Sequence, residues 1–254
     1  HGALQAETWR LALTGDDHGL RADLLALHGK WGLDAALQPE PLARQAKRLA
    51  VMDMDSTLIQ QEVIDELARL CGVFDRVAAI THRAMNGELD FDGALRERVR
   101  LLAGAPETVL ADVLQQIAPT PGAARLVRAL RAMGCTTAVV SGGFTYFAKE
   151  VQRRLGIHHA VANELAFEDG CLTGQVIGAI VDGERKRTEL LAACERLGVP
   201  ASAAIAVGDG ANDLPMMQAA GLSVAYMAKP KVQAQADVAV EAPGLDRWLA
   251  LLGS

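Results

Sequence analysis

The chain has 254 residues, 50% hydrophobic and 22% charged, ordinary globular proportions and enough for one large domain with an insertion or two small ones. A net charge of -6 excludes a surface built to hold a nucleic-acid backbone, while a few placed cations and a metal would still suffice for a small anion. No apolar stretch reaches the roughly 18–20 residues that span a bilayer, and the four scattered cysteines, with no Cys-x-x-Cys pair, argue against a zinc site or disulfide framework and fit a reducing cytoplasm.

The chain begins with His1 rather than Met, as a piece of a longer chain would, and lacks the charged-then-apolar layout of a signal peptide. Residues 7–14 read as a short strand, Gly19 to Gly29 as a helix, and Leu33 to Leu37 as a second strand before a Pro39/Pro41 linker. Residues 1–45 are therefore at most a small β-α-β unit, expected to serve packing or subunit contact, with a homodimer as one expected assembly. Leu49 to Met52 is an apolar run without helical period, hence a buried strand. After Thr57 the pattern turns helical: Ile59, Val63, Ile64, Leu67 and Leu70 recur at three and four, and further helices are expected near 75–85, 92–103 and 106–117. An insert of that kind, 58–118, would lie as a lid above the strand ends, leaving 46–57 and 119–254 as the core. Beyond Pro119 and Pro121 come a helix at 122–133, a strand at 136–140, a helix at 144–155, and one or two strands with a hairpin turn at Glu168-Asp169-Gly170. A helix at 184–197, a strand at 203–207, a short helix and a strand at 222–226 complete the reading. Such alternation predicts an α/β fold with a doubly wound, mostly parallel sheet.

Three apolar strands end in polar, glycine-rich turns: Asp53-Met54-Asp55, Ser141-Gly142-Gly143 and Gly208-Asp209-Gly210-Ala211-Asn212-Asp213. In an open α/β sheet those ends share one ligand-binding edge. Two carboxylates closing a buried strand are costly unless they work or are solvated. The residue types fit phosphoryl transfer. Glycines let backbone N–H groups approach phosphate oxygens, and Ser141 opens a helix N-terminus suited to an anion. Lys186 adds a point charge, although Glu184-Arg185-Lys186-Arg187 reads equally well as a solvated run. Asp53 and Asp209 offer hard oxygen ligands for Mg²⁺. The histidines have no ligand spacing.

These four motifs, with Glu62, the run Ala84 to Phe91, Leu95 to Val99 and Ala228 to Lys231, resemble the haloacid dehalogenase superfamily and within it the phosphoserine phosphatase family, over roughly Arg48 to Ala242. The resemblance implies a Mg²⁺-dependent enzyme of serine biosynthesis acting on phosphoserine, a small-molecule substrate. Asp53 would be the nucleophile and Asp55 the proton donor and acceptor. Asp53, Asp209 and the Asp55 carbonyl would hold the metal, with Asp213 ordering its surroundings. Ser141, Gly142 and Lys186 would grip the phosphoryl, and Asn212 would help hold it. Glu62 would meet the substrate ammonium and Arg98 its carboxylate, with Met85 and Phe91 as apolar walls. On the residues alone, Glu62 and Arg98 read as solvated helix charges and Met85 and Phe91 as ordinary lid core. A phosphatase of a related small ester, a catalytically idle binding module and a protein phosphatase are the rival expectations.

Overall fold

The structure, a computed structural model, describes residues 18–31 and 37–252. The strand expected at 7–14, and all of the one expected at 33–37 except Leu37, lie outside the described residues. The helix between them is α1, His18–Trp31. The expected Pro39/Pro41 linker instead contains a short helix, α2, Glu40–Arg44. Pro41 sits in its first turn, where a missing N–H costs nothing. Lys47 then fastens the incoming chain beneath the sheet, its Nζ donating to the carbonyls of Leu42 (3.1 Å), Ser202 (3.1 Å) and Gly221 (3.3 Å).

Strand β1, Leu49–Met52, is wholly buried, as its uninterrupted apolar run requires. An irregular turn, Met54–Leu58, leads to α3 (Val63–Leu70), α4 (Phe74–Met85), α5 (Phe91–Arg100) and α6 (Thr108–Gln116), so this stretch of the insert is helical as expected. The chain returns through α7 (Ala123–Ala132), β2 (Thr136–Phe144), α8 (Thr145–Leu155) and the pair β3 (His159–Glu168) and β4 (Cys171–Ile177). It continues with α9 (Gly183–Leu197), β5 (Ala204–Gly208), α10 (Leu214–Ala219), β6 (Leu222–Tyr226), α11 (Pro230–Gln233), β7 (Val238–Val240) and a short helical turn at Arg247–Leu251.

Among the described residues the strands form one seven-stranded sheet in the order β4-β3-β2-β1-β5-β6-β7, parallel throughout except for the β3–β4 hairpin. The sheet is doubly wound. Ala50 and Met52 face a core completed by α7, α8 and the inserted helices, while Leu49 and Val51 face one completed by α9, α10 and α11. Alternate residues of one strand thus feed both layers. β1 is flanked by β2 on one side and β5 on the other, so the order reverses at β1 and a crevice opens above its carboxyl end. No helix among the described residues is long and apolar enough to cross a membrane.

The insert is laced to the core. Its entering and leaving segments bond to each other through Gln60 N–H to Ala118 O (3.1 Å) and Thr120 N–H to Leu58 O (2.9 Å). The α5–α6 turn bonds to the hairpin, Gly104 N–H to Leu172 O (2.8 Å), Leu172 N–H to Ala105 O (2.8 Å) and Glu107 N–H to Gly170 O (2.9 Å).

Candidate active site

Strand pairing runs one residue past β1, with Asp53 N–H donating to Val207 O at 2.9 Å, and this delivers Asp53 to the crevice floor. Its carboxylate accepts from Met54 N–H at 2.7 Å. The chain then turns sharply at Ser56, whose φ of +53° places a non-glycine residue in the left-handed region, at a cost of about 1–3 kcal/mol. That turn carries the chain back so that Val63 N–H, at the start of α3, donates to Asp55 Oδ1 at 3.2 Å. Burial raises the Asp55 carboxyl well above the ordinary range, and Glu62 and Asp53 add to the effect.

Helix α9 is capped by Asp182, which accepts from Arg185 N–H at 2.8 Å. Helical spacing then resolves the charge run: Glu184, Arg185 and Arg187 are exposed, whereas Lys186 is completely buried. Its Nζ lies 2.7 Å from Asp53 Oδ2 and 2.7 Å from Asp213 Oδ1. Burial works against the ammonium charge, but Asp213 and Asp53 more than offset it and hold the lysine protonated. Asp213, buried too, accepts from the N–H groups of Asp209 and Gly210 at 3.1 Å each. Asp209 accepts from the Thr57 hydroxyl at 3.1 Å. Its carboxyl is pushed up to about 8, first by burial and then by Asp53 and Asp213.

Asp53, Asp209 and Asp213 bring carboxylate oxygens within 4.8 Å of one another. With all three carboxylates ionised, Lys186 balances one charge and leaves two over. A hard-oxygen cluster with that excess suits a divalent cation, and the upward push on Asp209 reflects the same crowding. Gly208 permits the cluster to form. An added Cβ there would meet Asp213, with Asp213 Cβ at 2.6 Å. Gly208→Ala is therefore expected to cost about 1–3 kcal/mol, as overpacked cores do, read as a fall of several degrees in Tm.

From β2, Ser141 arrives fully buried, accepting Gly143 N–H at 2.9 Å and facing Asp55 Oδ2 at 3.5 Å. Gly143 is required, because a Cβ would overlap the Asp55 carboxylate, and a Cβ on Gly142 would stand 2.6 Å from Phe91 Cζ. Phe91, at the start of α5, thus reaches down to the glycine loop. Glu62 stands at the rim, its Oε1 accepting the Ser56 hydroxyl at 2.6 Å. Burial raises its carboxyl despite that bond, with Asp53 and Asp65 adding and Arg98 opposing. Arg98 is half-buried on α5, its Nε donating to Ala94 O at 3.2 Å, and it faces Asp65, Glu62 and Asp55. Asn212 is half-buried in the turn between β5 and α10. Met85 differs from its companions: at the end of α4 it is 64% exposed, an open edge rather than a wall. A separate cleft of about 470 Å³, lined by Arg128, Arg131 and His158, contains none of these groups.

The fold therefore gathers Asp53, Asp55, Ser141, Lys186, Asp209 and Asp213 around one crevice. Sequence reading gave no role to Ser56, Thr57 or Asn163. Thr57 and Ser56 stand inside the first motif, where only their neighbours mark them. Asn163 lies mid-strand beside Glu164, and nothing in that polar pair marks which of the two is buried.

A model of haloacid dehalogenase-like hydrolases matches residues 47–221. The chain is 48% identical over 234 residues to a phosphoserine phosphatase of Streptomyces coelicolor, covering 92% of this chain but 57% of that protein. It is 48% identical over 217 residues to a phosphoserine phosphatase of Albidiferax ferrireducens, covering 83% of this chain and 92% of that one. A solved structure described as a phospho-aspartyl intermediate analogue of phosphoserine phosphatase superposes with a TM-score of 0.76, at 40% identity, over 81% of this chain and 98% of that one. The chain thus spans little more than half of the Streptomyces relative and nearly all of the Albidiferax one. With the motif residues converging on one crevice and these likenesses covering most of its length, the chain belongs to the haloacid dehalogenase-like hydrolases, in the branch whose curated members are named phosphoserine phosphatases.

Proposed function

We propose that this hydrolase converts O-phospho-L-serine to L-serine and phosphate through an aspartyl-phosphate on Asp53, in the cytoplasm, as the last step of serine formation. The observation that carries the reading is the Asp53–Lys186 pair, 2.7 Å apart on the floor of the crevice, with Asp55 and Ser141 facing each other above it. A carboxylate nucleophile divides the hydrolysis into two easier displacements. Lys186, the Ser141 hydroxyl and the Gly142 N–H grip the transferring oxygens, where electrostatic positioning does most of the work. Asp55 gives its proton to the departing serine oxygen and then takes one from the water that opens the aspartyl-phosphate. Asp53, Asp209 and the carbonyl of Asp55 would hold Mg²⁺, with Asp213 behind them. When bound, that ion supplies neutralising charge for the phosphoryl group.

Residues 58–118 serve as the cap, 46–57 and 119–254 as the core and 1–45 as an extension. Within the cap, Glu62 pairs with the substrate ammonium and Arg98 with its carboxylate, while Phe91 closes over the glycine loop and Met85 edges the opening. Asn212 helps hold the phosphate. Steady-state phosphate release from L-phosphoserine, with and without Mg²⁺ and beside D-phosphoserine and phosphothreonine, tests the reading. Fastest release from the L-serine ester, lost with chelator, is the expected result; no release from any small ester would end it. Arg98→Ala should raise KM for phosphoserine at least about 10-fold, the scale of a charged hydrogen-bonded contact, and hardly change KM for an aryl phosphate without a carboxylate. Equal losses on both substrates would remove Arg98 from carboxylate recognition.

A further inference from the structure

Asn163 is 2% exposed, in the middle of β3. Both ends of its side-chain amide are used. Nδ2 donates to Gly142 O at 2.8 Å, and Oδ1 accepts from Val181 N–H at 2.8 Å. The second bond settles the orientation of the amide, because a backbone N–H requires an acceptor. Its own main chain is braced as well, with the Thr145 hydroxyl donating to Ala162 O and Asn163 O at 3.1 Å each.

The two places it ties together are the two sources of phosphoryl contacts. Gly142 O belongs to the peptide joining Gly142 to Gly143, and the N–H of that peptide donates to Ser141 Oγ at 2.9 Å. One peptide plane is therefore held at its oxygen by Asn163 and at its nitrogen by Ser141. This has two effects. The preceding peptide, which carries the Gly142 N–H, shares the Gly142 Cα with that plane and is restrained through it. Ser141 Oγ accepts from Gly143 N–H and donates its own proton to Asp55 Oδ2 at 3.5 Å, so the hydroxyl is fixed between the glycine loop and the Asp55 carboxyl. At the other end, Val181 precedes Asp182, the cap of α9, and Lys186 lies in the opening turns of that helix.

Resting on the proposed phosphatase reading, we propose that Asn163 is a positioning residue for phosphoryl transfer: its amide sets the Ser141–Gly143 loop and the start of the Lys186 helix in register, without touching substrate. Placement of such contacts matters steeply, because a shift of about 1 Å can cost on the order of 10²-fold in rate.

The test compares Asn163→Asp and the smaller Asn163→Ser with Thr173→Val. Thr173→Val removes a hydroxyl bond to Ala166 O on the same strand, away from the crevice, and serves as a stability control. Phosphate release is followed on L-phosphoserine and on p-nitrophenyl phosphate, together with inhibition by orthovanadate and by L-serine. Asn163→Asp keeps the acceptor for Val181 and puts an oxygen against the Gly142 carbonyl. It should lower kcat by about 10–100-fold on both esters and weaken orthovanadate inhibition by a like factor, leaving serine inhibition unchanged. Asn163→Ser should do the same, and Thr173→Val should keep wild-type kcat. Unchanged kcat in a folded Asn163 variant, an equal loss in Thr173→Val, or a parallel loss of vanadate and serine affinity would each overturn the proposal. Wild-type protein that hydrolyses p-nitrophenyl phosphate but not phosphoserine would overturn only the substrate assignment, and the Asn163 comparison would still be read on the aryl ester.

Discussion

Asp53→Asn should give a folded protein that releases phosphate from phosphoserine at least about 10⁴-fold more slowly than wild type, since removing a nucleophile leaves only binding and electrostatic assistance. The amide has nearly the shape of the carboxylate and still offers an oxygen to Met54 N–H. Lys186 keeps Asp213 at 2.7 Å, so its buried charge stays paired. Stability is therefore expected to survive while chemistry does not. Steady-state phosphate release, with circular dichroism as the check on folding, separates the two. Hydrolysis at the wild-type rate in purified Asp53→Asn protein would remove the aspartyl-phosphate mechanism.

Lys186→Met should damage both stability and turnover. The substitution strands Asp53 and Asp213 in a buried site, and losing one partner of a buried pair typically costs about 3–5 kcal/mol. Urea unfolding in the presence of a chelator measures this without help from a bound cation. The sign of the pH dependence follows. Burial and then Asp53 already raise the Asp213 carboxyl against the pull of Lys186; without the ammonium it rises further above its unfolded value, so the folded protein binds more protons and its stability falls as pH rises. The deficit of the variant should therefore be larger at pH 8 than at pH 5. Adding Asp213→Asn should recover part of it, because the stranded charge is removed; strictly additive losses would mean that the pair is not coupled. Turnover should not recover, since the positive charge facing the phosphoryl oxygens is still missing.

The parts of this molecule legible in its sequence are those written locally. The three strand-end motifs sit on apolar runs that alternate with helical periods, and the doubly wound sheet follows from that alternation. Glu168-Asp169-Gly170 marks the β3–β4 hairpin by turn chemistry alone, with Asp169 and Gly170 both at positive φ. What escapes is set by distant contacts. Strand β7 is three residues long, too short to show a period, and it exists because β6 offers it a parallel edge. Strand β2 continues beyond its apolar run through Ser141-Gly142-Gly143 to Phe144, with a shift in its register against β3. Helix α2 hides behind two prolines that ordinarily signal a linker. Met85 and Phe91 look alike in the sequence as apolar residues of one insert. Only packing distinguishes the ring beside Gly142 from the thioether left open to water.

The lacing of the helical insert also sets which of its margins is held by backbone hydrogen bonds and which by side-chain pairs. It is stitched down along the hairpin, at Gly104, Ala105 and Glu107, and again where Gln60 meets Ala118. The α4–α5 turn, between Met85 and Phe91, is instead restrained by Arg83 to Glu88 and to Glu97, half-exposed ion pairs worth about 0–1 kcal/mol each. Lifting that turn would carry the Phe91 ring off the glycine loop in the same stroke. An opening at the seven residues Met85 to Phe91 would suit the small ester proposed as substrate better than a folded polypeptide.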